Sequence, residues 1–149
     1  MLKSQKNNMK VAYLSGPMSV SKNPNNNKDE FNRVTELLRA DGWTIFNPAE
    51  FDIGDDNLNT LSELEIWTYC MKRDLSEIIK NEIDVVILLD GWDLSKGSKM
   101  EIFVSQTLFD GSFLEFKENE NSYELISIHP SFFVLTGEKE NGISRIVQL

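Results

Sequence analysis

Asp84-Val85-Val86-Ile87-Leu88-Leu89-Asp90-Gly91-Trp92-Asp93-Leu94-Ser95-Lys96-Gly97-Ser98-Lys99-Met100-Glu101 is the stretch whose pattern decides the fold. Val85 to Leu89 is an unbroken apolar run that opens on three β-branched residues. A strand buried on both faces, inside a parallel sheet, has this pattern, whereas a strand with one wet face alternates. The run breaks at Asp90-Gly91 into a polar loop holding Gly97 and two serines. Met100, Phe103, Val104, Thr107 and Leu108 then recur at helical spacing, which predicts a helix burying that face. In open α/β sheets ligands bind beyond the carboxyl ends of the strands, at such strand–loop–helix junctions.

Glu101 falls in the first turn of the expected helix and admits two readings. Unpaired backbone N–H groups there favour a negative charge, and an ionised carboxylate at the mouth of a sheet is a candidate nucleophile. Ser98-x-x-Glu101 ahead of an apolar run is also the signature of a capping box, in which both side chains satisfy orphan N–H groups.

Upstream, Val11-Ala12-Tyr13-Leu14 reads as a first strand ending in the turn Ser15-Gly16-Pro17-Met18. The asparagine-rich piece from Ser19 to Asn27 is expected to be a mobile loop. Phe31, Val34, Leu37 and Leu38 predict a helix stopped by Asp41-Gly42, and Trp43 to Phe46 a second strand halted by Asn47-Pro48. Residues 47–59 read as a polar loop. Thr60-x-x-Glu63 reads as a capping box opening a helix through Leu61, Leu64, Trp67, Met71, Leu75, Ile78 and Ile79, with Asp74 late in it and Asn81 closing it. The β-α-β-α-β-α order predicts a three-layer, doubly wound parallel sheet of the flavodoxin or Rossmann-like kind, with helices on both faces.

Beyond Gly111 the period changes to two. Phe113 to Lys117 and Tyr123 to Ile128, separated by a polar turn at 118–121, read as a fourth strand and an added hairpin. Phe132 to Leu135 and Ile143 to Leu149 are further apolar pieces, placed either in the sheet or against a second subunit. The expectation is one domain over 1–149, with a core at about 10–110, a β extension over 111–149, and a homo-oligomer.

With 40% hydrophobic residues in 149, the chain has enough apolar material for one sizeable core. Fifteen basic residues against 24 acidic give a net charge of −9, which argues against a nucleic-acid polymer as partner but leaves room for a small anion at local N–H donors. One cysteine, Cys70, excludes an internal disulfide and fits a reducing cytoplasm. The one histidine, His129, has no ligand-spaced companion, so neither a histidine metal site nor a cofactor is expected. No apolar stretch has the length of a signal peptide core or a membrane span, so no membrane partner is expected.

Three stretches together resemble the nucleoside 2-deoxyribosyltransferase-like superfamily: Tyr13-Leu14-Ser15-Gly16-Pro17-Met18, Arg73-Asp74-Leu75, and Ser95-x-Gly97-x-x-x-Glu101. Gly42-Trp43, Asn47-Pro48-Ala49-Glu50 and Gly91-Trp92 are similar to short bacterial and phage members. The resemblance covers about residues 10–110, and its order and spacing favour the nucleophile reading of Glu101. It implies cleavage or transfer at the N-glycosidic bond of 2′-deoxynucleosides or their 5′-monophosphates through a covalent deoxyribosyl-enzyme. In that chemistry Glu101 attacks the anomeric carbon, Asp74 protonates the departing base, and Tyr13 positions the nucleophile. Ser95 matches a position that is aspartate in enzymes of free nucleosides and serine in 2′-deoxynucleoside 5′-monophosphate N-hydrolases. Ser15, Gly16, Ser95, Gly97 and Ser98 would then cradle a phosphate, with Pro17 beside them and Met18 and Trp92 walling a base pocket. Lys99 stands where better-known members carry glycine. Two other readings remain: a nucleotide-binding module without turnover, and an NAD glycohydrolase.

Overall fold

The computed structural model describes residues 10–18 and 27–129. Five strands form one sheet: β1 (Val11–Ser15), β2 (Thr44–Phe46), β3 (Val85–Leu88), β4 (Ser112–Glu118) and β5 (Tyr123–Ile128). Their order across the sheet is β2-β1-β3-β4-β5; the first four run parallel and β5 returns antiparallel to β4. The helices are α1 (Lys28–Ala40), the one-turn α2 (Pro48–Phe51), α3 (Glu63–Lys80) and α4 (Lys96–Phe109). The architecture is the doubly wound α/β sheet expected from the sequence, with a C-terminal β-hairpin at one edge.

Period two along the central strands divides the core into two layers. Ala12, Leu14, Ile87 and Leu89 pack on one face against Phe31, Val34 and Leu38 of α1. Tyr13, Val86 and Leu88 lie on the other face with Ile78 of α3, Ile102 of α4, Trp92 and Phe113. Strands buried on both faces are why the run from Val85 to Leu89 shows no alternation.

The chain leaves β1 for β2 on one side and then returns to β3 on the other, so the crevice between β1 and β3 is the switch point of this sheet. The two strand ends are tied there. The Leu89 N–H donates to the Ser15 carbonyl at 2.8 Å. A Cβ on Gly16 would stand 2.8 Å from Leu89 Cβ, so only glycine lets the turn after β1 lie this close to β3. Gly91, at φ +87°, turns the chain after β3 beside the Pro17 ring.

Several local expectations are corrected. Residues 47–59 are not a plain loop: Asn47 caps α2 by accepting from the Ala49 N–H at 2.9 Å with Pro48 at its first position, and Asp56–Asn59 forms a 3-10 turn. Thr60 does not open α3; the capping box is Ser62 with Glu65, two residues later, where the same spacing recurs. The buried face of α3 is Met71, Asp74 and Ile78, whereas Leu64 is 89% exposed and Trp67 and Ile79 are exposed. On α4 the buried face is Ser98, Glu101, Ile102 and Ser105, and Met100, Thr107 and Leu108 face outward. The expected mobile loop at 19–26 and the apolar pieces at 132–135 and 143–149 lie outside the described residues. Among the described residues no helix is long and apolar enough to cross a membrane.

Candidate functional site

The alternation that sends Ala12 and Leu14 toward α1 sends Tyr13 and Ser15 to the opposite face, at the carboxyl end of β1. There they meet Glu101. The helix that carries it starts at Lys96, capped by the Ser95 hydroxyl accepting from the Ser98 N–H at 3.2 Å. Glu101 is therefore in the second turn, not the first, and the Ser98–Glu101 capping box does not form. Its carboxylate faces the sheet, 5% exposed.

The Tyr13 hydroxyl lies 2.5 Å from Glu101 Oε2, and the Ser15 hydroxyl donates to Oε1 at 2.6 Å. Ser15 has one proton, so its 2.9 Å bond with Ser98 is filled by the Ser98 hydroxyl donating to Ser15. The chain Ser98–Ser15–Glu101–Tyr13 is buried throughout. A carboxylate out of water costs several kcal/mol unless donors replace its hydration, and two short hydrogen bonds do this only in part. Burial accordingly raises Glu101 to about 8, against the two hydroxyls that favour its ionised form; the nearby Asp74 charge adds to the rise.

Asp74 comes from α3, whose Met71, Asp74 and Ile78 stripe packs toward the same layer. It is 7% exposed, and burial raises it to about 6 against the pull of the adjoining Arg73. The Tyr13 hydroxyl also faces Asp74 and favours its ionised form. Tyr13 itself is held well above the ordinary phenol range, first by burial and then by Glu101 and Asp74, so it works as a neutral hydroxyl. Burial thus raises both carboxyls at this end of the sheet.

The sequence reading gave no role to the groups that hold Asp74 in place. Arg73 pairs with Asp74 at 3.0 Å, with Asp52 at 2.8 Å and with Asp55 at 3.2 Å, and its guanidinium lies 5.7 Å from the Phe51 ring. Phe51 in turn sits 6.5 Å from the Tyr13 ring. Tyr69 donates to Asp55 at 2.8 Å, and Lys28 pairs with Asp52 at 2.8 Å. The available signal was an acid-rich segment, Asp52 to Asp56, preceding a helix with one arginine. Among the described residues no cluster of His, Cys, Asp and Glu is arranged to hold a metal ion; the acids here converge on Arg73.

The other residues singled out in the sequence are distributed around this centre. Ser98 lies within the hydroxyl chain, and Gly97 packs against Met71, where a Cβ would stand 3.1 Å from the sulfur. Ser95, as the cap, leaves the N–H groups of Lys96 and Gly97 as the orphans of the helix start. Gly16 and Pro17 line the strand-end turn, and Pro17 offers its carbonyl to the Asn27 amide at 2.9 Å. Met18 packs on the α1 layer, across the sheet from Glu101. Trp92 is buried in the α3–α4 layer with its indole N–H donating to Glu115 at 2.8 Å. Met18 thus lies on the layer opposite the carboxyls, whereas Trp92 shares the layer of Tyr13 and Ile102.

Fold and site together define a Rossmann-like α/β domain with two buried carboxyls gathered on a tyrosine at its switch point. The chain belongs to the family described as domain of unknown function DUF4406, whose model matches residues 9–110, from before β1 through the end of α4. No curated protein and no solved structure matches it.

Proposed function

We propose that this chain cleaves or transfers at the N-glycosidic bond of 2′-deoxynucleosides or their 5′-monophosphates, with Glu101 as nucleophile and Asp74 as acid. The observation that carries the reading is a buried Glu101 pinned by Tyr13 and Ser15 beside a second buried carboxyl, at the sheet edge where α/β domains bind small molecules. The resemblance of Tyr13–Met18, Arg73–Leu75 and Ser95–Glu101 to the deoxyribosyltransferase-like superfamily supports it. Attack by a Glu101 oxygen on C1′ forms a C–O bond as the C1′–N bond breaks, and the base leaves with the proton of Asp74. The transition state is oxocarbenium-like, and a fixed carboxylate both stabilises that charge and captures it. Water, or a second base, then attacks C1′ and gives its proton to the Asp74 carboxylate as the C1′–O bond to Glu101 breaks. Tyr13 and Ser15 set which carboxylate oxygen faces the sugar.

A 5′-phosphate fits the open N–H groups of Lys96 and Gly97 next to Ser95. Ser15 and Ser98 are occupied with Glu101 and one another, so the phosphate contacts fall to Ser95 and the start of α4. Ser95→Asp keeps a capping oxygen but adds a negative charge; monophosphate use should fall about tenfold or more while nucleoside use holds. Competition between a deoxynucleoside and its 5′-monophosphate, on wild type and the variant, reads the shift. An unchanged ratio would remove Ser95 from substrate choice. The reading as a whole is tested by a base-release screen over deoxynucleosides and their monophosphates, with and without an acceptor base. Release from one substrate class that disappears in Glu101→Gln is expected; no release from any would reject it.

A further inference from the structure

We propose that Ser98 is a positioning residue for Glu101: its hydroxyl, acting through Ser15, completes a chain of donors that holds the Oε1 side of the carboxylate in its ionised form. The inference rests on the nucleophile reading of Glu101 and adds a residue that does not itself touch the reacting atoms.

Ser98 and Glu101 are three residues apart on α4, so both side chains leave the same face of the helix. Ser15, at the end of β1, bonds to both: its oxygen is 2.9 Å from Ser98 Oγ and 2.6 Å from Glu101 Oε1. The backbone presents the two hydroxyls. The Ser15 carbonyl accepts from the Leu89 N–H at 2.8 Å, and the Ser98 N–H donates to the Ser95 hydroxyl oxygen at 3.2 Å. Ser15 is 0% exposed and Ser98 1%, so neither hydroxyl is turned to bulk water. Donors fixed in this way need no reorganisation when charge appears beside them.

Counting protons gives the chain its direction. An ionised carboxylate only accepts, so the single Ser15 proton goes to Oε1. The Ser15–Ser98 bond is then made with the Ser98 proton, and both O–H dipoles point toward the charge. A hydroxyl that accepts one hydrogen bond donates the next more strongly, by roughly 10–30% per bond in condensed phase. That gain is largest when Oε1 carries charge, so the chain favours the carboxylate over the acid. The other groups facing Glu101 lie outside the chain. Tyr13 of β1 serves Oε2 at 2.5 Å, and α3 brings Asp74, which is paired with Arg73 at 3.0 Å.

The test is the titration of Glu101 in the full chain, followed by NMR with ¹³C at glutamate side chains and assigned by the signal lost in Glu101→Gln. Ser15→Ala removes the direct donor and should shift the titration upward by about one pH unit or more, tenfold in the ionisation constant. Ser98→Ala, one hydrogen bond further out, should shift it upward by about twofold to threefold in the same constant. Once Ser15 is alanine, Ser98→Ala should add nothing, because its path runs through Ser15. Ser98→Cys, close in size but a weak donor, should fall between serine and alanine. Base release should show the same dependence. Below the Glu101 titration Ser98→Ala should lose about twofold to threefold in kcat, and above it match wild type, whereas a packing defect lowers the rate at every pH. An unshifted Glu101 in Ser98→Ala, or an equal shift with and without Ser15, overturns the proposal even where base release is found. The expected shifts with no base release from any substrate support the chain and reject the glycosidic reading instead.

Discussion

The two faces of this sheet are built from the same strands and do different work. Toward α1, Ala12, Leu14, Ile87 and Leu89 meet Phe31, Val34 and Leu38, with Thr35 the one polar side chain among the buried residues of α1. Toward α3 and α4, the alternate residues of β1 are Tyr13 and Ser15, and the helices answer with Asp74, Ser98, Glu101 and Ser105, all buried. A one-residue step along β1 thus separates an apolar layer from one that holds the buried carboxyls. The polar layer is tolerated because its groups are paired: Ser105 donates to the Ile83 carbonyl at 2.9 Å, and the hydroxyl chain serves Glu101. Glu101 has two hydroxyl donors in place of its hydration, and burial still raises its value.

If the faces are divided in this way, substitutions on them should separate activity from stability. The largest effect is expected from Glu101→Gln, with loss of base release by roughly three orders of magnitude or more and an intact fold. Asp74→Asn should follow, slowing release by about two to four orders of magnitude for bases that need protonation, and less for a substrate with a better leaving group. Equal loss on both substrates would remove the acid role. On the opposite face, Leu14→Ala should cost about 2–5 kcal/mol in denaturant unfolding and leave turnover per folded molecule near wild type. A matching drop in turnover would show that the faces are not independent.

The smallest effect joins the two properties. Glu101 has a raised value in the folded chain, so the folded state binds the proton more tightly than the unfolded state. Stability therefore falls as pH rises from about 4.5, the ordinary carboxyl value, to about 8, and levels off above it. Glu101→Gln should flatten that slope and gain on the order of a few kcal/mol at pH 8, read from urea melts across the range. A variant less stable than wild type at pH 8 would mean that the carboxylate is fully compensated.

Where the two faces differ is also where the sequence could and could not be read. The apolar layer was legible: the Val85–Leu89 run, the Phe31–Val34–Leu38 stripe and the order of elements gave the sheet and its helices. On α3 and α4 apolar periodicity was right only in part: Met71, Leu75, Ile78, Phe103 and Val104 pack inward, but Leu64, Trp67, Met100 and Leu108 face outward while Asp74, Ser98, Glu101 and Ser105 are buried. Counting apolar residues cannot find a face that is buried through hydrogen bonds. Its own period was present in Ser98, Glu101, Ile102 and Ser105, spaced as one helical stripe. The capping box slipped because Thr60–Glu63 and Ser62–Glu65 satisfy the same pattern, and only the backbone chooses between them. Glu101 was singled out by its place beyond the buried strand, Tyr13 and Ser15 by resemblance, and the fold brings the three together. Asp52 and Asp55, which hold Arg73 beside Asp74, were missed because ion pairs across 18 or more residues leave no local spacing to read.

The proposal that Glu101 is a nucleophile is open to direct observation in the mass of the protein itself. Wild-type chain mixed with a deoxynucleoside or its 5′-monophosphate and quenched in acid should carry one deoxyribosyl or deoxyribosyl-phosphate group, on the peptide containing Glu101. Glu101→Gln should carry none and release no base. Base release by the variant at the wild-type rate, with no adduct on wild type, would contradict the assignment and leave Glu101 a buried structural carboxyl.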